Sequence, residues 1–302
     1  MFPPAFDYRK PADLDAALAA LAPEDAVPLA GGHDLVPKLK DREEHPGTVV
    51  DLGALDDLRG VEREQSTEAA DAGERLVIGA LTTYADLLDA DPAGVGGLLE
   101  ATAAVGDTQI RNRGTVGGNL VAAHPASDLP AAALVADATL TLVGPEQERI
   151  VAVEEFYDAD GETVCRSDEL LTRLTVHTVP TADSAYARKT HPSSGYAAVG
   201  VAARVELDDG AVADAAVAAN GLRPGPTRLT DVEEALVGID ADPTAEQVAE
   251  AAEQATEVRH AERVRDDHLV SAEQRLRLLP SYTEQAVSKA LARAAEKTGV
   301  SA

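Results

Sequence analysis

The chain has 302 residues, with 53 Asp plus Glu against 26 Lys plus Arg, giving a net charge of −27. A chain this long can bury the cores of two domains, and a surface this acidic repels nucleic acid and anionic membrane. The single cysteine, Cys165, excludes an intramolecular disulfide and cannot alone supply the four thiolates that an iron–sulfur cluster normally takes; an inert structural thiol is the expectation for it.

In chain order, Leu14, Ala17, Leu18 and Leu21 share one face of a predicted helix over 11–22, which Pro23 follows. "AVPLA" (26–30) predicts a short strand, Gly31-Gly32 a turn, "DLVPKLKD" (34–41) a short helix or turn, and "TVVDL" (48–52) a second strand, together an α/β unit. "RLVIGAL" (75–81) continues as strand, Thr82 or Thr83 can cap a helix through "YADLLDA", and "GLLEATAAV" (97–105) is a further helix. After the second glycine pair, "DLPAAALVADA" (128–138) predicts a helix opening at Asp128. The strands "TLTLV" (139–143), "RIVAV" (149–153) and "LTRLTVHTV" (171–179) follow, the last closed by Pro180.

Beyond Pro180, strands come first and helices afterwards, the order of an α+β domain. "AYARKT" and "YAAVGVAARVEL" predict strands, and Asp208-Asp209-Gly210 turns the latter into "AVADAAVAA" as a hairpin. "DVEEALVG", "TAEQVAEAAEQATEVRHAE" (244–262) and the Ala-rich 282–297 predict helices, the last a solvated docking helix with a mixed-charge face.

The acidic residues are spread over every segment. The run Glu62, Glu64, Glu68, Asp71, Glu74 and a 45% hydrophobic content indicate an acidic folded surface, not an acidic tail or a disordered activator. The expectation is adaptation to a high-salt cytoplasm, where the Debye length falls to about 3 Å at 1 M salt and self-repulsion is mild. "MFPPAFDYRK" lacks the apolar stretch of a signal peptide and no run of about 18 apolar residues occurs, so a soluble, cytoplasmic chain without membrane contact is expected.

Two glycine pairs stand out, in "AGGHD" (30–34) and "TVGGN" (115–119). Glycine tolerates φ > 0 and lets a ligand approach the backbone, and consecutive amides then form a nest for an anion. Two such loops suit two linked phosphates, although a plain turn explains either pair alone. Neither pair is the dinucleotide fingerprint G-x-G-x-x-G, and no P-loop motif occurs.

"LAGGHDLVPKLKDR" together with "QIRNRGTVGGNLVAAHPASDLPAAALVADA" resembles the FAD-binding subunit of the molybdenum hydroxylases, the medium chain of the carbon monoxide dehydrogenase and xanthine dehydrogenase family. The resemblance extends from "FDYRKPADLDAALAAL" through "DELLTRLTV" and "HPSSGYAAVGVAARV" to "SAEQRLRLLPSYTEQAVSKAL", essentially the whole chain. It implies an α+β fold with an FAD-binding domain over 1–178, made of two α/β subdomains (about 1–58 and 59–178) that clasp FAD, and a C-terminal α+β domain over 179–302. It further implies that Ala30, Gly31, Gly32, His33 and Asp34, with Thr115, Gly117, Gly118 and Asn119, hold the FAD diphosphate. Val121 and Ala122 fall near the flavin, Asp128 binds FAD hydroxyls, and Arg188 stands where many relatives carry Lys in a Y-x-K stretch.

Asp34 replaces the usual Ser and is expected to turn outward and cap the following helix, while His33 is expected to contribute its backbone N–H. His124 and His191 precede prolines and are expected at the surface; Arg111 and Arg113 either position a loop, meet a partner or form a solvated pair. No metal-ligand spacing and no acid–base catalytic residue is assigned. The implied function is electron transfer. A molybdenum-pterin large subunit oxidises substrate, a small subunit with [2Fe-2S] clusters relays electrons to the FAD of this chain, and an external acceptor receives them, in a dimer of heterotrimers. A stand-alone FAD-dependent oxidase and a non-catalytic nucleotide-binding or assembly module remain the alternatives.

Overall fold

The computed structural model describes residues 2–66, 73–255 and 264–299. Glu68 and Asp71 of the acidic run, and residues 256–262 of the helix expected to reach 262, lie outside the described residues.

The chain begins with a parallel three-stranded sheet. It contains β1 (Asp7–Arg9), β2 (Ala26–Leu29) and β3 (Thr48–Asp51) in the order β1-β3-β2, with α1 (Leu14–Leu21) and α2 (Leu35–Asp41) between strands. Asp13 caps α1 by accepting from the Ala16 N–H at 2.8 Å, and Ala17, Leu18 and Leu21 bury the predicted face. Pro28 is tolerated in β2 because that strand is an edge. β1 has no apolar signature, since all three of its residues are exposed, and sequence periodicity misses it.

A 3₁₀ turn (Asp56–Leu58) leads into the second layer. Here β4 (Val61–Ser66), β5 (Gly73–Gly79), β6 (Thr139–Val143), β7 (Glu148–Ala152) and β8 (Leu170–Thr178) form an antiparallel sheet ordered β4-β5-β8-β6-β7. Between β5 and β6 run α3 (Tyr84–Ala90), α4 (Gly96–Ala104), α5 (Thr108–Arg111), α6 (Val116–Ala122) and α7 (Leu129–Val135), and α8 (Val153–Phe156) follows β7. Leu87, Leu98, Leu120, Leu129, Leu140, Leu174 and Phe156 share one core between these helices and the sheet. Thr83, not Thr82, caps α3 in a reciprocal capping box with Asp86; the Thr82 hydroxyl is buried against Gly60. The second glycine pair is not a turn ahead of a helix but the first turn of α6 itself.

The last layer is an antiparallel sheet ordered β12-β11-β10-β9, from β9 (Ala182–Thr190), β10 (Ala197–Asp208), β11 (Ala211–Asn220) and β12 (Thr227–Arg228). Asp209 and Gly210 have φ of 48° and 82°, the left-handed pair that a tight hairpin turn requires. α9 (Thr230–Leu236), α10 (Ala245–Glu253) and α11 (Ala272–Thr298) complete the chain. α11 corrects the expectation of a solvated helix over 282–297. It opens at Ala272 under a Ser271–Gln274 capping box, runs through Pro280, and buries Leu279, Ala286, Val287, Ala290, Leu291 and Ala294 with residues of β9 and β10. The other face of this sheet, through Tyr186, Ala202, Ala216 and Ala218, joins the core of the second layer. The fold is α+β, as expected.

Candidate functional site

A cavity of about 580 Å³ opens where the carboxyl end of β2, the start of α6, the 122–128 stretch and β9 converge. Its lining brings together the residues that the resemblance assigns to the cofactor: Ala30, Gly31, Gly32, His33 and Asp34; Thr115, Gly117, Gly118 and Asn119; Val121, Ala122, Asp128 and Arg188; Arg111, Arg113 and His191 lie outside it.

The first loop presents its backbone. Gly32 has φ of +78°, and the amides of Gly31, Gly32, His33 and Asp34 have no acceptor among the described residues. Gly31 has no room for a side chain, because a Cβ there would fall on the Arg113 carbonyl and lie 2.8 Å from the Gly114 Cα. The two glycine loops are therefore pressed together at this point.

The second loop does something else, which corrects the expectation of a donor nest there. Its amides are already bonded: Val116 to the Thr82 carbonyl (3.0 Å), Gly117 to the Ala80 carbonyl (2.8 Å), Gly118 to Thr115 Oγ1 (3.1 Å) and Asn119 to the Thr115 carbonyl (3.0 Å). Thr115, the N-cap of α6, takes the Gly118 and Asn119 amides, while the start of the helix lies against the 80–83 stretch, which takes the other two and bridges Thr83 to Thr115. Gly117 serves packing, since a Cβ would lie 2.5 Å from that of Ala80. The Asn119 side chain is also occupied, donating to the Tyr84 hydroxyl (2.9 Å) and accepting from Ser127 (2.5 Å). Burial pushes the Tyr84 phenol up to about 12.

Asp128 starts α7 without capping it. The carboxylate, 3% exposed, accepts from Tyr186 (2.6 Å) through Oδ1 and from Arg188 (2.8 Å) through Oδ2. Burial raises its pKa, against the opposing pull of the Arg188 charge and the two hydrogen bonds. The Tyr186 hydroxyl also lies 2.9 Å from Asn220 Oδ1, and burial raises that phenol well above its ordinary value. Arg188 donates in addition to the Ala104 carbonyl, so its guanidinium is committed to the wall.

Three further expectations are corrected or resolved. Asp34 makes no capping hydrogen bond; it pairs with Lys38 at 2.8 Å, one helical turn on. His124 is half-buried and not a freely solvated residue: it lines the cavity, stacks on Tyr196 with ring centroids 4.4 Å apart, and accepts from the Ala126 N–H, and burial lowers its pKa. Arg111 positions a loop by donating to the Val105 and Gly106 carbonyls at 3.1 Å each.

Residues that sequence reasoning missed line both ends of the cavity. Lys38 stands at the first glycine loop, while Cys165, Glu169, Leu170 and Leu171 come from the stretch that enters β8. The i,i+4 spacing of Asp34 and Lys38 was the available signal for the first; nothing local announces the others. Burial pushes the Cys165 thiol up to about 11, and Glu169 is clamped by Arg149 through two bonds of 2.8 and 2.7 Å. Among the described residues, no group of three or more His, Cys, Asp or Glu is placed to hold a metal ion, and no helix is long and apolar enough to cross a membrane.

Comparison with known proteins gives a consistent set of similarities. Residues 4–179 match the model described as the FAD binding domain in molybdopterin dehydrogenase, and residues 168–296 that of the CO dehydrogenase flavoprotein C-terminal domain. The chain is 34% identical to the carbon monoxide dehydrogenase medium chain of Afipia carboxidovorans, over 80% of this chain and 83% of the relative. It is 32% identical to the glyceraldehyde dehydrogenase medium chain of Sulfolobus acidocaldarius, over 79% and 83%. Among solved structures, carbon monoxide dehydrogenase from Hydrogenophaga pseudoflava aligns with a TM-score of 0.87 at 29% identity, covering 97% of this chain and 99% of that one. Quinoline 2-oxidoreductase from Pseudomonas putida 86 aligns at 0.85, also at 29% identity, over 97% and 99%.

Proposed function

Because the chain belongs to the family of FAD-binding subunits of the molybdenum hydroxylases, we propose that it relays electrons within such a complex, from [2Fe-2S] clusters in a small partner subunit to an external acceptor. The substrate would be oxidised on a molybdenum-pterin large subunit, and the whole would form a cytoplasmic dimer of heterotrimers. Bound FAD supplies the reversible uptake and release of electrons. The part of this chain is to bind, orient and shield that cofactor.

One observation carries the reading: four consecutive residues, Gly31 to Asp34, line a cavity of about 580 Å³, and their amides have no acceptor among the described residues. Gly31, Gly32 and Asp34 are half-buried and His33 is exposed, so their amides are open to a ligand, and a row of consecutive unpaired N–H groups beside a cavity is complementary to an anion such as a diphosphate. In this reading those amides donate to the FAD diphosphate, and Thr115, Gly117 and Gly118 form the opposing wall. Asp128 keeps lone pairs beyond those used by Tyr186 and Arg188, and accepts from an FAD hydroxyl. Val121 and Ala122 border the flavin, and Arg188 fixes the carboxylate.

The test is the visible spectrum of the full chain purified with added FAD, before and after dithionite. Oxidised-flavin bands that survive gel filtration in high salt and bleach on reduction are expected. A featureless spectrum from a folded chain counts against the reading and favours a nucleotide-binding or assembly role.

A further inference from the structure

Two cationic side chains line the cavity, Arg188 and Lys38. Arg188 is held by Asp128 and the Ala104 carbonyl on the far wall. Among the described residues, Lys38 pairs with one carboxylate, Asp34, and both side chains are about two-fifths exposed (39% and 42%). That hydrogen bond, reinforced by the charges of Asp34, Glu44 and Glu43, holds the lysine ammonium above its ordinary range, with burial opposing. Glu44 itself lines the cavity, and the Glu43 and Glu44 amides both close on the Lys38 carbonyl. The rim beside the free amides thus carries two carboxylates, Asp34 and Glu44, and one ammonium, with Glu43 close enough to act on that ammonium.

This charge count matters on a chain whose net charge is already −27. A carboxylate at Asp34 opposes a phosphate seated on its own backbone N–H, whereas an ammonium one turn away offsets it. Distant surface carboxylates are screened already at about 0.1 M salt, whereas charges a few ångströms from the ligand act on it until the Debye length falls to about 3 Å near 1 M.

We propose that Lys38 is the cation that balances the acidic rim of the cofactor cradle, positioned by Asp34, and that this pair sets both the affinity for FAD and its response to salt. The proposal rests on the placement of the FAD diphosphate at residues 31–34. The two side chains have opposite effects although they touch each other: Lys38 attracts the diphosphate, and Asp34 repels it while restraining the lysine. Removing one charge beside the ligand changes affinity by about tenfold at low salt, and screening reduces that change to about twofold near 1 M salt.

The experiment titrates FAD into the full-length chain, following flavin fluorescence and equilibrium dialysis at about 0.1 M and about 1 M KCl, between which the Debye length shrinks from about 10 to 3 Å. Wild type, Lys38→Gln, Asp34→Asn and the double variant are compared, and thermal melts check that each is folded. Lys38→Gln is expected to weaken binding about tenfold at low salt, with the deficit shrinking to about twofold at high salt. Asp34→Asn is expected to tighten low-salt binding and steepen its salt dependence, and the double variant to return close to wild type. Equal weakening by both single variants at both salt concentrations would reduce the pair to support for α2 and overturn the proposal, as would unchanged affinity in all variants. Absence of saturable FAD binding in wild type and all variants would instead remove the placement of the diphosphate, and the proposal with it.

Discussion

The two glycine loops look alike in sequence and differ in what they leave free. In AGGHD the amides of residues 31–34 have no acceptor; in TVGGN every amide from Val116 to Asn119 has one. The first loop is suited to recognition through its backbone, and the second to bringing α6 close to the chain around Ala80. The same dipeptide therefore serves donor exposure in one place and close packing in the other. For Gly118 and Asn119 the distinction is the local cap at Thr115; for Val116 and Gly117 it lies in tertiary partners, the Thr82 and Ala80 carbonyls, that no local pattern contains.

This contrast can be broken by substitutions that act on one loop and spare the other. Gly117→Ala should have the largest effect on stability, because the new methyl meets Ala80 Cβ at 2.5 Å in a packed region; a loss of about 3 kcal/mol is expected in denaturant unfolding. FAD affinity of the fraction that remains folded should change little. Gly32→Ala should invert that pattern. Its φ of +78° costs about 1 kcal/mol for a residue with a Cβ, while the tilt it imposes on the amides should weaken FAD binding about tenfold in a fluorescence titration.

Thr115→Ala removes the cap of α6 and frees the Gly118 amide, so a loss of about 1 kcal/mol is expected, with no loss of FAD affinity beyond that from unfolding. If affinity instead rises, the freed amide has become a donor to the ligand, and both loops contribute donors to it. Tyr84→Phe should be mildest at neutral pH, removing one hydrogen bond with Asn119, worth about 1 kcal/mol. Its signature is alkaline. Tyr84 is held near 12 against an ordinary 10.0, so the stability it contributes is complete below pH 10 and is lost as pH rises through 12. The difference between wild type and Tyr84→Phe should therefore shrink across that window in chemical denaturation.

Much of the molecule was legible in the sequence because apolar periodicity and turn chemistry are local. The face of α1, the strands β5, β6, β8, β10 and β11, and the hairpin at Asp209-Gly210 all follow from spacing. β1 was not legible, since an exposed three-residue strand is defined only by its pairing with β3. The start of α11 was hidden by Pro280, which reads locally as a stop although the Ser271 capping box lies upstream of it. At the site, the glycine loops and Asp128 could be found, whereas His124, Tyr196, Cys165 and Glu169 reach the cavity only through the folding of distant segments.

The bonds that gather around Asp128 also bear on recombination between relatives. The matched segments overlap at residues 168–179, which invites a crossover there. A chimera joined at that point would take Asp128 from one parent and Tyr186, Arg188 and Asn220 from the other, although Tyr186 and Arg188 bond to the Asp128 carboxylate and Asn220 to the Tyr186 hydroxyl. A parent without a matching cation would leave that carboxylate uncompensated, at a cost of about 3 to 5 kcal/mol. The four positions are therefore a single heritable unit that spans the apparent crossover point, and shuffled libraries should exchange them together.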